Sequence, residues 1–491
     1  MGRSLCACGF VAGLWILVFG GLSNATGAQG KTASRVEHGQ QLFERVWKPG
    51  NDAQASGDGL GPLFNERSCA ACHHLGGIGG AGPNQNNVTI LTAVVPENLP
   101  DKDLFQARIA ELHPGLAEST SVVLHRFSTD PVAYQSFCES LLGPDARRPG
   151  DPVCQAVAKR VIIRKESPGP TKAFEVDGTT LLLSERNTTP LFGVGLIDSI
   201  PRAEIERVAA IERQENPQVH GRFVGRFGWR GQQMALKDFI RGACATELGL
   251  QVSTDAQAVD PVAATKQQPS SSRLDLTDRQ CEEMTLFIAR LPAPQRLQPA
   301  DHQQAAAVRT GEQLFRSVGC AVCHRPKLGK VAGIYSDLLV HAMGSKLSDP
   351  TLAPLSLAVP QVLPVPNVSR YFGGGPDPNS PTPPAVDSHT RLQEWKTPPL
   401  WGLRDSGPYL HDGRAETVEE AITYHAGEAA DSVDRYMALQ TDARTRLLVF
   451  LAALAAPDPS SLPKLKAPND RPPAVELRKP QLAPGFAAAL K

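Results

Sequence analysis

Two short motifs hold the residue types in this sequence that are best suited to chemistry. Both have the pattern C-x-x-C-H, at residues 69–73 and 320–324. In this pattern the two thiols add to the vinyl groups of a haem and the histidine binds its iron. Zinc and disulfides are the alternatives, but zinc usually takes its C-x-x-C pairs from one small module, and a disulfide needs no adjacent histidine. We therefore predict two covalently bound haem c groups. The residues that hold them are Cys69, Cys72, His73, Cys320, Cys323 and His324.

The length and charge of the chain limit the classes of function. The chain has 491 residues, with 50 basic and 50 acidic side chains. This length suffices for two or three domains, and the balanced charge gives no reason to expect nucleic acid or an anionic membrane as a partner.

The first 28 residues have the pattern of a signal peptide. A basic start at Arg3 precedes an apolar stretch, and small residues lead up to Ala25 or Ala28. A retained anchor is the alternative, although the apolar stretch is short for a membrane span. No later stretch is apolar over such a length, so we expect a periplasmic protein without a stable membrane span after signal removal.

Four cysteines lie outside the two motifs and the predicted signal peptide. They are Cys138, Cys154, Cys244 and Cys281. An oxidising compartment would allow them to pair, and proximity in sequence favours a bridge between Cys138 and Cys154. Buried free thiols fit the sequence equally well.

Three further stretches recur in the same order around the two motifs. The pairs are GQQLF (39–43) with GEQLF (311–315), TTPLFG (188–193) with TPPLWG (397–402), and FGWRG (227–231) with YLHDG (409–413). Repeats of this kind indicate homologous units whose loops differ in length. We therefore predict two haem domains related by internal duplication.

Apolar periodicity predicts a mainly α protein with two cytochrome c-like haem domains, long irregular loops and minor β-hairpins. Predicted helices lie at 202–213, 277–290, 305–317 and 443–455, and strands at 157–164 and 173–183 form a candidate hairpin. The predicted organisation is a signal peptide (1–28), an N-terminal domain with the first, reactive haem (29–291), a linker (292–306), a C-terminal domain with the electron-transfer haem (307–456) and a Pro-rich tail (457–491). A loop dense in Pro and Gly is expected at 354–387.

Together with the two haem motifs and the repeated T-x-P-L-(F/W)-G turn, the stretch GPYLHDGR (407–414) resembles the bacterial di-haem cytochrome c peroxidase superfamily. GDGLGPLFN (57–65) and HAGEA (425–429) resemble its branch of di-haem oxidoreductases more closely. The resemblance covers residues 39–454. It implies that peroxide meets the N-terminal haem and that the C-terminal haem receives electrons from a donor.

The resemblance makes His73 and His324 the proximal iron ligands and places His425 as the second ligand of the C-terminal iron. A Met or a Tyr fills this last position in other branches, and a bis-His iron has a lower potential than a His/Met iron because the thioether raises it. His341 and Met343 compete for the role, and Met437 is a weaker rival.

At the first haem the resemblance matches Glu247 with the family's catalytic glutamate and Trp229 with the Trp between the haems. Burial beside an apolar cofactor would raise the pKa of Glu247 toward a range useful for proton transfer. A solvated glutamate and an ordinary core Trp are the alternatives. The sequence departs from the family at two places: residues 84–89 have no His that could bind the first iron, and Phe239 stands where the family has a Gln.

The resemblance also implies one calcium ion between the domains. Asn187 would supply its side chain, and Thr397 and Pro399 their carbonyl groups; oxygen ligands suit this hard cation.

Three functions fit the sequence. The first is a periplasmic di-haem oxidoreductase that reduces hydrogen peroxide with electrons from a donor, such as a small cytochrome c or a cupredoxin. The second is an oxidase that uses high-valent haem to oxidise a protein or a small molecule. The third is an electron-transfer cytochrome without turnover of its own.

Overall fold

The computed structural model describes residues 22–50, 57–96, 99–142, 172–255, 257–263, 273–349 and 388–463. Helices are the main elements of this part of the chain. They are α1 (Leu22–Glu44), α2 (Cys69–Cys72), α3 (Lys102–Leu112), α4 (Pro131–Leu142), α5 (Val194–Asp198), α6 (Arg202–Glu215), α7 (Leu236–Glu247), α8 (Asp278–Ala289), α9 (His302–Ser317), α10 (Ser388–Gln393), α11 (Val418–Tyr424), α12 (Ala430–Met437) and α13 (Thr441–Ala452).

The strands are short and form small antiparallel sheets. They are β1 (Leu63–Phe64), β2 (Val88–Ala93), β3 (Ser121–Leu124), β4 (Phe127–Ser128), β5 (Lys172–Val176), β6 (Thr179–Arg186), β7 (Gln295–Arg296), β8 (Lys327–Leu328), β9 (Val331–Ala332), β10 (Val340–Ala342), β11 (Glu394–Lys396) and β12 (Leu454–Ala455). The largest sheet has four strands in the order β3-β2-β6-β5, and in its register Ile90 pairs with Val123 and with Ser184. Because helices predominate and the strands are short, the mainly α class is confirmed.

The four predicted helices correspond to α6, α8, α9 and α13 to within three residues at each end. The predicted strand at 173–183 was wrong in one respect. It contains the turn of a hairpin of its own, because Asp177 and Gly178 both have positive φ, which reverses the chain between β5 and β6. Its expected partner at 157–164 lies outside the described residues.

The GQQLF and GEQLF stretches lie in two helix pairs of the same design. Helix α1 packs against α8, and α9 packs against α13. Gly39 faces the backbone carbonyl of Glu283 and Gly311 that of Arg446, so closely that a Cβ atom would collide with either oxygen. Glycine is therefore what allows each pair of helices to approach.

Each helix pair also buries two phenylalanines against each other. The ring centroids of Phe43 and Phe287 lie 5.4 Å apart, and those of Phe315 and Phe450 also lie 5.4 Å apart. The first pair belongs to a large central core and the second to a C-terminal core. A third core lies between the four-stranded sheet and helices α3 and α4.

Other sequence predictions fall wholly or partly outside the described residues. These are most of the signal peptide (1–21), Cys154, the loop at 354–387 and most of the tail (464–491). Cys138, Cys244 and Cys281 are buried free thiols, which is one of the two possibilities that the sequence left open. Among the described helices, none combines the length and the apolar character that crossing a bilayer requires.

Candidate functional site

The first C-x-x-C-H motif is a single helical turn. The Ser68 side chain caps α2 by accepting a hydrogen bond from the backbone N–H of Ala71 at 3.1 Å. The backbone N–H of His73 closes the turn on the carbonyl of Cys69 at 3.0 Å. Because residues three apart on a helix lie on one face, Cys69 and Cys72 point to the same side, next to His73.

The second motif also forms a single helical turn, which is a 3-10 helix at Cys320–Val322. Gly319 precedes it with φ of +101°, a backbone conformation that favours glycine. The backbone N–H of His324 again bonds to the carbonyl of the first cysteine, Cys320, at 3.0 Å.

Both motif histidines are oriented by the same kind of contact. Nδ1 of His73 lies 3.2 Å from the Gly80 carbonyl, and Nδ1 of His324 lies 3.1 Å from the Tyr335 carbonyl. Since a carbonyl only accepts, each Nδ1 carries the proton and each Nε2 keeps its lone pair, which is how a protein prepares an imidazole for a metal. Burial lowers the pKa of both imidazoles to about 4, so both are neutral at pH 7.

A phenylalanine packs beside each of these histidines. The ring centroid of Phe43 lies 6.3 Å from that of His73, and the centroid of Phe315 lies 6.5 Å from that of His324. The last residue of each GQQLF-type stretch thus packs beside the motif histidine.

His425 follows α11 and is a second prepared imidazole near the second motif. Its Nδ1 donates to the Ala421 carbonyl at 2.8 Å, which leaves Nε2 as an acceptor. After burial, the nearness of His425 is the next cause of the lowered pKa of His324. Two neutral imidazoles, His324 and His425, therefore line the cavity that contains the second motif.

The competing candidates for that position are differently placed. His341 uses both ring nitrogens, with Nδ1 at 2.9 Å from Glu428 and Nε2 at 3.1 Å from Asp337. Met437 is 51% exposed. Met343 lines the same cavity as His425, and its backbone N–H bonds to Gln393 at 2.9 Å.

A cavity of about 1360 Å³ contains the second motif and reaches toward the N-terminal half of the chain. Its walls include His324, His425, Trp229, Trp401, Phe239 and Leu400. A large cavity with many apolar and aromatic walls, two thiols and two imidazoles with free Nε2 atoms fits a haem. Cys320, Cys323, His324 and His425 are the residues that would hold it.

Trp229 lies on the wall of this cavity and is partly buried. Its indole N–H donates to the Asn187 carbonyl at 2.8 Å, and its own carbonyl accepts from the backbone N–H of Lys396 at 2.9 Å. Trp229 thus links a turn that follows the first motif to a strand that follows the second.

Glu247 is the last residue of α7 and lies near the first motif. Asn65 holds it through two contacts: Nδ2 donates to the carboxylate at 2.7 Å, and the Asn65 backbone N–H donates to the Glu247 carbonyl at 2.7 Å. Desolvation raises the pKa of Glu247 to about 7, against the opposing effect of the Asn65 bond. The charge of Glu247 also contributes to the raised pKa of the Cys72 thiol, after burial and Glu66. Glu247 is therefore a carboxyl group with a pKa near neutrality that lies close to Cys72 of the first motif.

Two residues beside the first motif were not predicted from the sequence. Asn65 belongs to the GDGLGPLFN stretch, which carried the family resemblance without an assigned role. Asn86 donates to the Cys72 sulfur at 3.4 Å and comes from residues 84–89, the segment without a histidine. Since the family resemblance had already aligned residues 84–89 with the first iron, a polar contact from this segment to the first motif could have been predicted from the sequence.

The three predicted calcium ligands all line the cavity. Asn187 donates through Nδ2 to the Asn87 side chain at 3.0 Å, and the Thr397 carbonyl accepts from Ser336 Oγ at 2.7 Å. The Thr397 oxygen retains a second lone pair for a cation. Pro399 has no N–H, so its backbone contributes only a carbonyl.

Two solved structures resemble this chain weakly. One is the hydrazine synthase of Kuenenia stuttgartiensis, with 18% identity, a TM-score of 0.29, and coverage of 55% of this chain and 73% of that one. The other is a MauG-like protein associated with microbial copper homeostasis, with 19% identity, a TM-score of 0.24, and coverage of 48% and 73%. The comparison with curated proteins gives no match.

One family model matches the C-terminal region. Its description is "Di-haem oxidoreductase, putative peroxidase", and the match covers residues 384–454. This span includes the TPPLWG turn, the GPYLHDGR stretch and His425. The region at residues 384–454 is therefore similar to the di-haem oxidoreductase family.

Proposed function

We propose that this chain is an exported, periplasmic di-haem c-type oxidoreductase that reduces hydrogen peroxide. Electrons would come from a donor protein, such as a small cytochrome c or a cupredoxin, and pass from the second haem to the first. One observation supports this assignment above the others. The first motif has an acid–base group beside it, Glu247 with a pKa of about 7, whereas the second motif has a second imidazole, His425.

We further propose that the chain consists of two haem domains that arose by duplication, at 29–291 and 307–456, joined by a linker at 292–306 and followed by a tail at 457–491. The two equivalent helix pairs support this proposal. So do Gly193 and Gly402, which have φ of +69° and +74° at the same place in the two T-x-P-L turns.

The covalent haems would be held by the cysteine pairs at 69/72 and 320/323, with His73, His324 and His425 as iron ligands. When bound, the haems supply the redox chemistry, and the chain supplies orientation and protons. A peroxide needs one proton moved from its inner to its outer oxygen as the O–O bond breaks. A carboxyl group with a pKa near 7 can take up and release that proton at neutral pH, and Asn65 holds the group in place.

Trp229 would serve as the relay between the two haems. The hydrogen bond from its indole to Asn187 and its place on the cavity wall support this role. Calcium bound by Asn187, Thr397 and Pro399 would fix the same region, because Asn187 would bind the calcium through its side chain and also accepts the Trp229 hydrogen bond.

The test is to mix the reduced holoprotein with hydrogen peroxide and follow the haem bands while a reduced cytochrome c is offered. The proposal predicts turnover of the donor. Replacing Glu247→Gln should lower the rate by about 10²- to 10⁴-fold, the usual contribution of acid–base catalysis, while the exposed control Glu118→Gln should leave it unchanged.

Other outcomes would contradict the proposal in distinct ways. Rapid haem oxidation without donor turnover would favour an oxidase that acts on another substrate. A holoprotein that does not react with peroxide would favour an electron-transfer cytochrome.

A further inference from the structure

A group of buried acidic residues lies around His341, next to the second motif but apart from its iron-facing histidines. Glu212 and Asp337 are each 0% exposed, and His341 is 2% exposed. Nε2 of His341 lies 3.1 Å from an Asp337 oxygen and 3.7 Å from a Glu212 oxygen. The Glu212 and Asp337 oxygens themselves lie within 4.8 Å of each other. The Cys323 sulfur also lies within 4.8 Å of these atoms, but it is the proposed attachment point of the second haem. Two carboxylate oxygens and one imidazole nitrogen therefore remain as donor atoms for a cation.

The buried carboxylate of Glu212 is not stabilised by hydrogen bonds from the part of the chain that the structure describes. Neither of its carboxylate oxygens has a hydrogen-bond partner among the described residues, although both are fully buried. A buried carboxylate without a partner is costly. Burial, followed by the nearby charge of Asp337, raises its pKa to about 8, while His341 and Arg325 act in the opposite direction.

Glu428 orients His341 from the other side. Its carboxylate lies 2.9 Å from Nδ1 of His341 and accepts backbone N–H bonds from His220 at 2.8 Å and from Ala342 at 3.0 Å. A carboxylate on one nitrogen of a histidine is the usual partner of an imidazole whose other nitrogen binds a metal. Since Glu428 is held in place by these bonds, it is a positioning residue and not a ligand.

From these contacts we propose a binding site for one divalent transition-metal cation, formed by Glu212, Asp337 and Nε2 of His341. Two carboxylates and one imidazole suit Zn²⁺ and its neighbours better than Ca²⁺, which prefers six to eight oxygen ligands. Glu212 comes from α6, while Asp337 and His341 come from the segment after the second motif. The cation would therefore tie the two halves of the chain together, and it is separate from the calcium proposed at Asn187.

Space for this cation depends on Gly221. A Cβ atom on Gly221 would lie 2.5 Å from His341 Cε1 and 2.9 Å from a Glu212 oxygen. A side chain at this position would therefore press on the histidine and on the carboxylate at the same time.

The test uses the haem-loaded full chain, treated with a chelator, dialysed and titrated with Zn²⁺ by calorimetry. The expected result is one equivalent of zinc that is lost in Glu212→Gln and in Asp337→Asn. Glu428→Gln should weaken binding by about 10- to 100-fold, the usual effect of removing such a partner. Glu215→Gln is the matched control, since this glutamate lies three positions further along α6, is largely exposed and should bind zinc as the native chain does.

A second measurement needs no variant and so remains informative if a substitution prevents folding. X-ray absorption at the zinc edge of the native chain should give oxygen and nitrogen neighbours at about 2.0–2.2 Å, including one imidazole, and no sulfur shell at about 2.3 Å. Failure of the native holoprotein to bind zinc would overturn the proposal and leave an imidazolium among carboxylates. A sulfur shell, or full binding by both Glu212→Gln and Asp337→Asn, would overturn it as well.

Discussion

The two motif regions share a scaffold and differ in what lies beside it. In both, a glycine-mediated helix pair carries a phenylalanine onto the motif histidine, and a backbone carbonyl holds that histidine through Nδ1. The second region then adds His425, whereas the first adds Glu247 with Asn65.

This difference shows how one scaffold can support two roles. If both imidazoles bind one iron, as proposed, they would leave no position for a substrate, which would suit storage and transfer of electrons. A carboxyl group beside the other motif suits reactions in which protons move. Under the proposed function, the shared features would hold the cofactor, and the features that differ would decide its chemistry.

The largest effect should come from removing the second imidazole. His425→Ala should convert the second haem completely from low-spin to high-spin, because the iron loses an axial ligand, and the first haem should keep its spectrum. Electron paramagnetic resonance of the oxidised holoprotein measures both haems at once. Met437→Leu is the control, as Met437 is half exposed; an unchanged low-spin signal in His425→Ala would remove His425 from the iron.

The next effect concerns stability and pH in the first region. The pKa of Glu247 is about 7 in the folded chain against an ordinary value of 4.5, so folding favours the protonated form. The free energy of unfolding should therefore decrease by about 2 to 3 kcal/mol as pH rises from about 4.5 through about 7.

Urea unfolding of the holoprotein at pH 5 and pH 8 measures this dependence. Glu247→Gln cannot ionise, so it should lose less stability than the native chain over this interval, while contributions from other groups cancel in the difference. Equal pH dependence of the two proteins would contradict the assigned pKa.

A smaller effect tests the shared part of the scaffold. Gly39→Ala and Gly311→Ala each place a Cβ against a backbone carbonyl, and each should destabilise the chain by about 1 to 3 kcal/mol. Gln41→Ala, an exposed change on the same helix as Gly39, should remain within about 0.5 kcal/mol of the native chain. If only one glycine proved sensitive, the two helix pairs would not be equivalent.

The smallest effect is expected at Asn65. Its side-chain N–H stabilises the charged form of Glu247, so Asn65→Ala should raise the pKa of that carboxyl further. The acid limb of peroxide turnover should then move to higher pH by about one unit, which corresponds to about 1.4 kcal/mol. Asn84→Ala removes an amide that bonds Gly413 instead, and a shift of the same size in that variant would argue against a specific role of Asn65.

The sequence was sufficient for features that depend on local pattern. The two motifs, the mainly α class and helices α6, α8, α9 and α13 follow from spacing and apolar periodicity. The turn at each motif is also a local feature, because a hydrogen bond between two residues of the motif closes it.

Features that depend on contacts between distant segments could not be predicted in this way. Asn65 and Glu247 are far apart in the chain and meet only after folding. The same holds for Glu212 and His341. No periodicity specifies such pairs, so the partner of Glu247 and the buried acidic group became visible only in the structure.

The central claim is that both C-x-x-C-H motifs carry covalent haem. The most direct test is a pyridine haemochrome assay of the chain, purified from a host that matures c-type cytochromes, after extraction of loosely bound haem. The account predicts two equivalents per chain, and one equivalent when Cys320 and Cys323 are both replaced by Ala. Fewer than two equivalents in the native chain would contradict it.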